Sequence, residues 1–259
     1  METILSILIP STFVVMLLVE RAFPARPLPK VRFWLLKGIL FFAFTGAVNS
    51  ILPAVLATLL DGHTLFHLTW LGTVPGAILG FLLADLVGYW IHRTMHTVPF
   101  LWRWTHQMHH SAERMDLAGM SYSHPFDTLV TFFLTGVATS VLGLAPDSAA
   151  LAGFFGFATA VALHTNIRTP SWLGYFVMRP EQHGLHHERD VHAYNYANFP
   201  GWDMLFGTFR NPPTFPERYG FWEGASAKMG AMLIGRDVGT PAPLWPGEMA
   251  QRNLDDQAA

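Results

Sequence analysis

The segment Asp85–His96 reads DLVGYWIHRTMH. On a helix, positions three and four apart share a face. Asp85, Tyr89, His92 and His96 are spaced by four, three and four, which predicts one helical face carrying a carboxylate, a phenol and two imidazoles. The pattern recurs twice. HQMHH at 106–110 aligns His106 with His109 and His110, and HGLHH at 183–187 aligns His183 with His186 and His187. Eight of the thirteen histidines thus fall in three short clusters, each of which aims two or three rings at one point.

The surroundings of these clusters are apolar. Of 259 residues, 51% are hydrophobic and 13% charged, with a mean hydropathy of +0.29. A soluble domain carries roughly a quarter charged residues, so the composition points to lipid. Five runs are candidate spans: Ile4–Val19, Gly38–Leu60, the stretch between Asp61 and Asp85, Thr128–Pro146 and Ser148–Ile167. The first is short of the roughly 20 residues a span needs. METILSILIPSTFVVMLLVE has neither a basic n-region nor a small-residue cleavage site, and reads as a retained membrane helix rather than a signal peptide. The runs are apolar on all sides, as membrane helices are. The expected fold is all-α, polytopic, with four to five spans.

Basic residues set the orientation. Arg21, Arg26, Lys30, Arg32 and Lys37 fill the first connection; Arg93, Arg103 and Arg114 follow the third run, and Arg168, Arg179 and Arg189 follow the fifth. The turns near Asp61 and Asp147 contain no Lys or Arg. All three clusters are therefore expected on the cytoplasmic face, with His124 and His164 at the same level and His63 and His67 at the opposite one. From about Phe215 the chain is richer in Pro, Gly and charge, so residues 1–214 read as a membrane domain and 215–259 as a cap or tail. FLWRW at 100–104 reads as an interfacial aromatic belt, and His192 as a loop residue.

A net charge of −2 gives no reason to expect nucleic acid. The absence of cysteine excludes disulfides, thiolate metal sites, iron–sulfur clusters and cysteine nucleophiles. Imidazole suits zinc, copper, iron or nickel rather than calcium or magnesium. Eight to ten histidines exceed the needs of one tetrahedral zinc, whereas two metals use them naturally. An aspartate inside a span is costly without a partner or a role, which makes Asp85 a candidate to orient the ligand face.

With the clusters placed, the chain resembles the fatty acid hydroxylase/sterol desaturase superfamily from about Leu83 to Phe209. DLVGYWIHRTMH is similar to its first histidine box and WRWTHQMHHS to its second. SHPFD resembles the His-Pro segment that follows, and LHTN an isolated histidine. RPEQHGLHH with NYANFPGWDMLFGTF is similar to the third box and its tail. Ala197 stands where the family usually has Gly. The resemblance implies a di-iron centre that is itself the catalytic group, held by His92, His96, His106, His109, His110, His183, His186 and His187, with His164 and then His124 as further ligands. Asp85, Tyr89, Asn195 and Asp203 would support them from a second shell.

The activity implied is O2-dependent hydroxylation of a C–H bond in a sterol, fatty acyl or isoprenoid lipid, the substrate arriving laterally from the bilayer. Electrons would come from a separate ferredoxin- or cytochrome b5-type donor with its reductase, docking on Arg93, Arg103 and Arg189. A desaturase with the same centre is the adjacent alternative. A non-enzymatic metal or haem carrier predicts ligands strung through the bilayer, and a zinc hydrolase fits poorly without H-E-x-x-H.

Overall fold

The computed structural model describes residues 2–60 and 63–239. The predicted turn at Asp61 and the tail beyond Gly239 lie outside the described residues. In chain order the helices are α1 (Glu2–Ala22), α2 (Trp34–Leu59), α3 (Thr73–Thr97), α4 (Pro99–Leu101), α5 (Gln107–His110), α6 (Pro125–Ser140), α7 (Pro146–Leu163), α8 (Pro180–His186), α9 (Pro200–Leu205) and α10 (Met229–Met232). A π-helical turn, Trp102–His106, joins α4 to α5. There is no strand among the described residues, only an isolated bridge between Glu188 and Tyr219.

Proline sets many of the starts. It is the first residue of α4, α6, α7, α8 and α9, where its fixed φ suits a helix and its missing N–H costs nothing.

Among the described residues, the five apolar runs give four helices long and apolar enough to cross a membrane: Thr3–Ala22, Trp34–Leu59, Thr73–Thr97 and Pro146–Leu163. The first, read as short, is a 20-residue span, because the helix runs on past Val19 through Glu20 and Arg21. The third starts late, at Thr73, and continues past Asp85 to carry the first histidine cluster. Of the fourth run, residues 128–140 are helical, within the 16-residue α6, which is about 24 Å long at 1.5 Å per residue against a hydrocarbon core of about 30 Å. Its remaining residues turn, and the Val141 carbonyl accepts hydrogen bonds from the N–H groups of Leu65 and Phe66.

Small residues draw α3 and α7 together. Gly76 and Gly80 on α3 face Ser148 and Ala152 on α7; a methyl at Gly80 would sit 3.2 Å from the Ala152 Cβ and 2.9 Å from Leu144 Cδ1. This small-xxx-small seam permits close backbone approach, the main source of helix association in lipid. α6 packs on α2 and α3, and α1 on α7.

The two ends of the bundle differ. At one, Glu20 of α1 accepts hydrogen bonds from the N–H groups of Leu117 and Asn166, each at 2.9 Å, gathering α1, the loop after α5 and the end of α7. The Trp34 indole donates to Asp116 at 2.7 Å. The segment after Phe215 closes over this end: Met232 and Val238 share a core with Trp34, Met108, Ala112 and Tyr122. Gln107, fully buried, donates to the Arg236 carbonyl at 2.8 Å and accepts from the Val238 N–H. The second histidine cluster is thereby fixed from behind.

Candidate metal centre

Nine imidazoles meet at this end in two groups. One contains His92, His96, His106, His110 and His186; the other contains His109, His164, His183 and His187. Within each group the ligand atoms lie within 4.8 Å of one another. α3 supplies two rings, the π turn and α5 three, the end of α7 one and α8 with its C-cap three. The groups abut where the His110 and His187 rings stack at a centroid distance of 4.0 Å.

The hydrogen bonds give the rings a common sense. His92 Nδ1 lies 2.7 Å from the Tyr196 carbonyl, His186 Nδ1 2.7 Å from that of Tyr194, and His164 Nδ1 2.7 Å from that of Ala160. His109 Nδ1 lies 3.2 Å from the Tyr122 carbonyl. A carbonyl only accepts, so each of these Nδ1 atoms carries the proton and Nε2 keeps a lone pair. The Nε2 atoms of His92, His96, His106, His110, His186 and His187 are buried without a hydrogen-bond partner. Buried polar atoms in folded proteins nearly always find one. Five of these orphan lone pairs converge in the first group and the sixth, on His187, lies in the second; such donors suit a metal, and neutral imidazole suits iron as well as zinc or copper. Burial, then the neighbouring imidazoles, holds His110, His186 and His187 well below the ordinary imidazole range, as the ligand state requires.

His124 lies in neither group. It caps α6, its Nδ1 accepting from the Phe126 N–H at 3.1 Å, while Nε2 faces the Leu233 carbonyl.

The four supporting residues act through the loop after α8. Asp85 accepts from the N–H groups of Asn198 and Phe199 and from the Asn198 amide, at 2.9–3.0 Å. Asp203 accepts from the N–H groups of Tyr196 and Ala197. Tyr89 pairs with Thr208, which in turn donates to Asp203 at 2.6 Å. Asn195, at φ +48°, donates to the Gln182 carbonyl and accepts from the Arg210 N–H. None of these hydrogen bonds is to a ring. Together they hold the backbone carbonyls that orient His92 and His186.

Three further residues belong to the site. Asp127 places Oδ2 2.8 Å from His106 Nδ1; it is the last residue of the SHPFD segment, which was the available signal. His192, expected as a loop residue, sets its Nδ1 3.0 Å from His110 Nδ1. Trp102, expected in an interfacial belt, instead lies 5.1 Å and 5.3 Å, ring to ring, from His96 and His110. The π turn rotates it inward, where it covers the five-histidine group.

A family model described as fatty acid hydroxylase matches residues 77–208, just over half the chain. Sphinganine C4-monooxygenase 2 of Arabidopsis thaliana is 28% identical over 181 residues, covering 67% of this chain and 69% of that relative. The very-long-chain aldehyde decarbonylase GL1-9 of Oryza sativa subsp. indica is 29% identical over 140 residues, 51% of this chain and 53% of its own. Ornithine lipid hydroxylase OlsE of Rhizobium tropici is 32% identical over 181 residues, 64% of this chain and 53% of its own. The chain thus spans about half the length of the last two. No solved structure matches it.

Proposed function

The chain belongs to the fatty acid hydroxylase family, and from that premise we propose a membrane di-iron oxygenase that hydroxylates a C–H bond of a lipid. Dioxygen and two electrons from a separate donor complete the reaction. The observation that carries this reading is the set of buried, unpartnered Nε2 atoms converging from three histidine clusters. His92, His96, His106, His110 and His186 would hold one ion, and His109, His164, His183 and His187 the other. When bound, the irons supply an oxidant strong enough for an unactivated C–H bond.

The chain's own residues do the rest. The carbonyls of Tyr122, Ala160, Tyr194 and Tyr196 fix ring tautomers, and Asp127 draws on the His106 N–H with a full charge. Trp102 and Tyr196 stand against the five-histidine group and keep water from it. The site lies at one end of the bundle, on the side the basic residues assign to the cytoplasm, within reach of lipid passing between spans. A ferredoxin- or cytochrome b5-type carrier would dock there. Arg93 is turned inward on Tyr89 and Arg189 on the Tyr219 carbonyl, which leaves Arg103 as its contact.

Two of the three relatives described are a monooxygenase and a hydroxylase by name, which favours oxygen insertion over desaturation. The test is metal analysis with Mössbauer spectroscopy of detergent-purified protein, followed by turnover under heavy-isotope dioxygen. Two irons per chain and label in the lipid product are expected. Zinc alone after iron-replete expression would overturn the reading, and an unlabelled product with a new double bond would make the enzyme a desaturase.

A further inference from the structure

Beyond the end of α7, the ten residues from Thr169 to Met178 contain no charged side chain. They form the 3₁₀ turn Ser171–Tyr175 and its extension. Trp172, Tyr175 and Phe176 are 64%, 57% and 66% exposed. α9 packs against this turn and adds Leu205, 66% exposed, and Met204. From Phe199 to Phe209 the one charged residue is Asp203, which is fully buried. Two cations bound the two segments in sequence, Arg168 and Arg210, and both are exposed.

This apolar face is continuous with the surface of a spanning helix. Phe206 lies 4.9 Å, ring to ring, from Trp90 on α3, and Trp90 is itself half-exposed. Phe209 joins the other side at 5.6 Å from Tyr175. Trp90 sits seven residues before the end of α3, about 10 Å along the axis. An in-plane amphipathic element buries its apolar face to about that depth, 5–10 Å. Trp and Tyr on the apolar side with arginines at the rim are the composition of a membrane interface.

We propose that the 171–177 turn and α9 form a ledge immersed in the interfacial zone of the bilayer, on the leaflet that faces the histidine groups. The occupant of this face is lipid, because the face runs through Phe206 and Trp90 into the flank of α3, where Arg93 lies over the Trp90 ring at 5.6 Å as a further cation of the rim. A docked electron carrier or a second copy of the chain would leave that continuity unexplained. The ledge stands whether or not the proposed reaction does. It carries on its inner side the 194–199 loop, whose carbonyls orient His92 and His186.

The chain's lack of cysteine makes the test direct. Trp172→Cys, Phe176→Cys and Leu205→Cys are each nitroxide-labelled in the full chain and reconstituted in phosphatidylcholine vesicles. Leu40→Cys on α2 serves as lipid reference and Glu223→Cys as water reference, both positions being exposed. Electron paramagnetic resonance then compares relaxation by oxygen, which concentrates in lipid, with relaxation by a water-soluble nickel chelate. All three ledge labels are expected to favour oxygen, as Leu40→Cys does, while Glu223→Cys favours the chelate. Chelate access at two or more ledge positions overturns the proposal. So does protection that appears only with added electron carrier or only at high protein-to-lipid ratio. Metal content equal to the unlabelled chain certifies the fold of each variant, and three independent positions keep the test intact if one misfolds.

Discussion

Nδ1 of His106 lies 2.8 Å from Oδ2 of Asp127, and the Ser123 hydroxyl donates to the same oxygen at 2.7 Å. Among the Nδ1 contacts described above, this is the one that a carboxylate makes. Asp127→Asn keeps an acceptor but removes the charge, and is expected to weaken metal binding about tenfold. Asp127→Ala removes both, for about a hundredfold. Competition with a chromophoric chelator measures this, and equal retention of metal by both variants would remove Asp127 from the site.

His192 is in neither metal group, yet it meets His110 nitrogen to nitrogen. One of the two must donate; with His110 holding a metal through Nε2, as proposed, His110 gives the proton and His192 accepts it. His192→Phe is expected to lower metal affinity about tenfold, with His192→Asn, which retains an acceptor, in between. A ligand-field change in the bound metal should accompany the loss; unaltered spectra in both variants would leave His192 a packing residue.

His124 gives the opposite expectation. It caps α6, so His124→Ala should leave metal content per chain unchanged while costing about 1 kcal/mol of stability. Metal analysis and a thermal melt in detergent separate these effects. Loss of metal would return His124 to the ligand set.

The α3–α7 seam predicts a position-specific response to bulk. Gly80→Leu forces a side chain against Leu144 and Ala152 and should destabilise by about 1–3 kcal/mol. Gly88, on the same helix, has open space at its Cβ, and Gly88→Leu should change little. Similar melting shifts for the two would contradict this packing.

Burial lowers His164 and His192 from 6.5 to about 4. Below about pH 6.5 the unfolded, metal-free chain takes up these protons, and the folded chain does not until about pH 4. The unfolded state therefore binds more protons in this window, and stability falls as pH drops through it. Chemical denaturation of metal-free protein should show a lower midpoint at about pH 5 than at about pH 7; a flat profile would show these rings solvated.

The histidines were legible because helical spacing alone aligns them, and the spans because composition does. What the sequence concealed was the reach of Asp85 and Tyr89. They share a helical face with His92, yet each bonds to the chain between Asn195 and Thr208 rather than to a ring. The groups that orient the rings are largely backbone carbonyls, which every residue carries, so no pattern of side chains marks Tyr194 or Tyr196. Trp102 was misplaced for a similar reason: a π turn shifts ring directions, and apolar composition does not announce it. The length of α6 was overestimated because its apolar run continues into a turn at Val141.

The hydrogen bond from His92 to Tyr196 spans 104 positions of the chain, and Glu20 waits for Asn166 across 146. A ribosome delivers α1, α2 and α3 to the membrane long before these partners exist. Until then the His92 ring has no fixed tautomer, and the carboxylate of α1 lacks one of its two backbone donors. On the proposed reading, metal capture is therefore a late event in the life of each molecule, coming after translation has passed the third histidine cluster and the loop behind it. A nascent chain stalled before residue 196 should insert normally and yet hold no metal tightly.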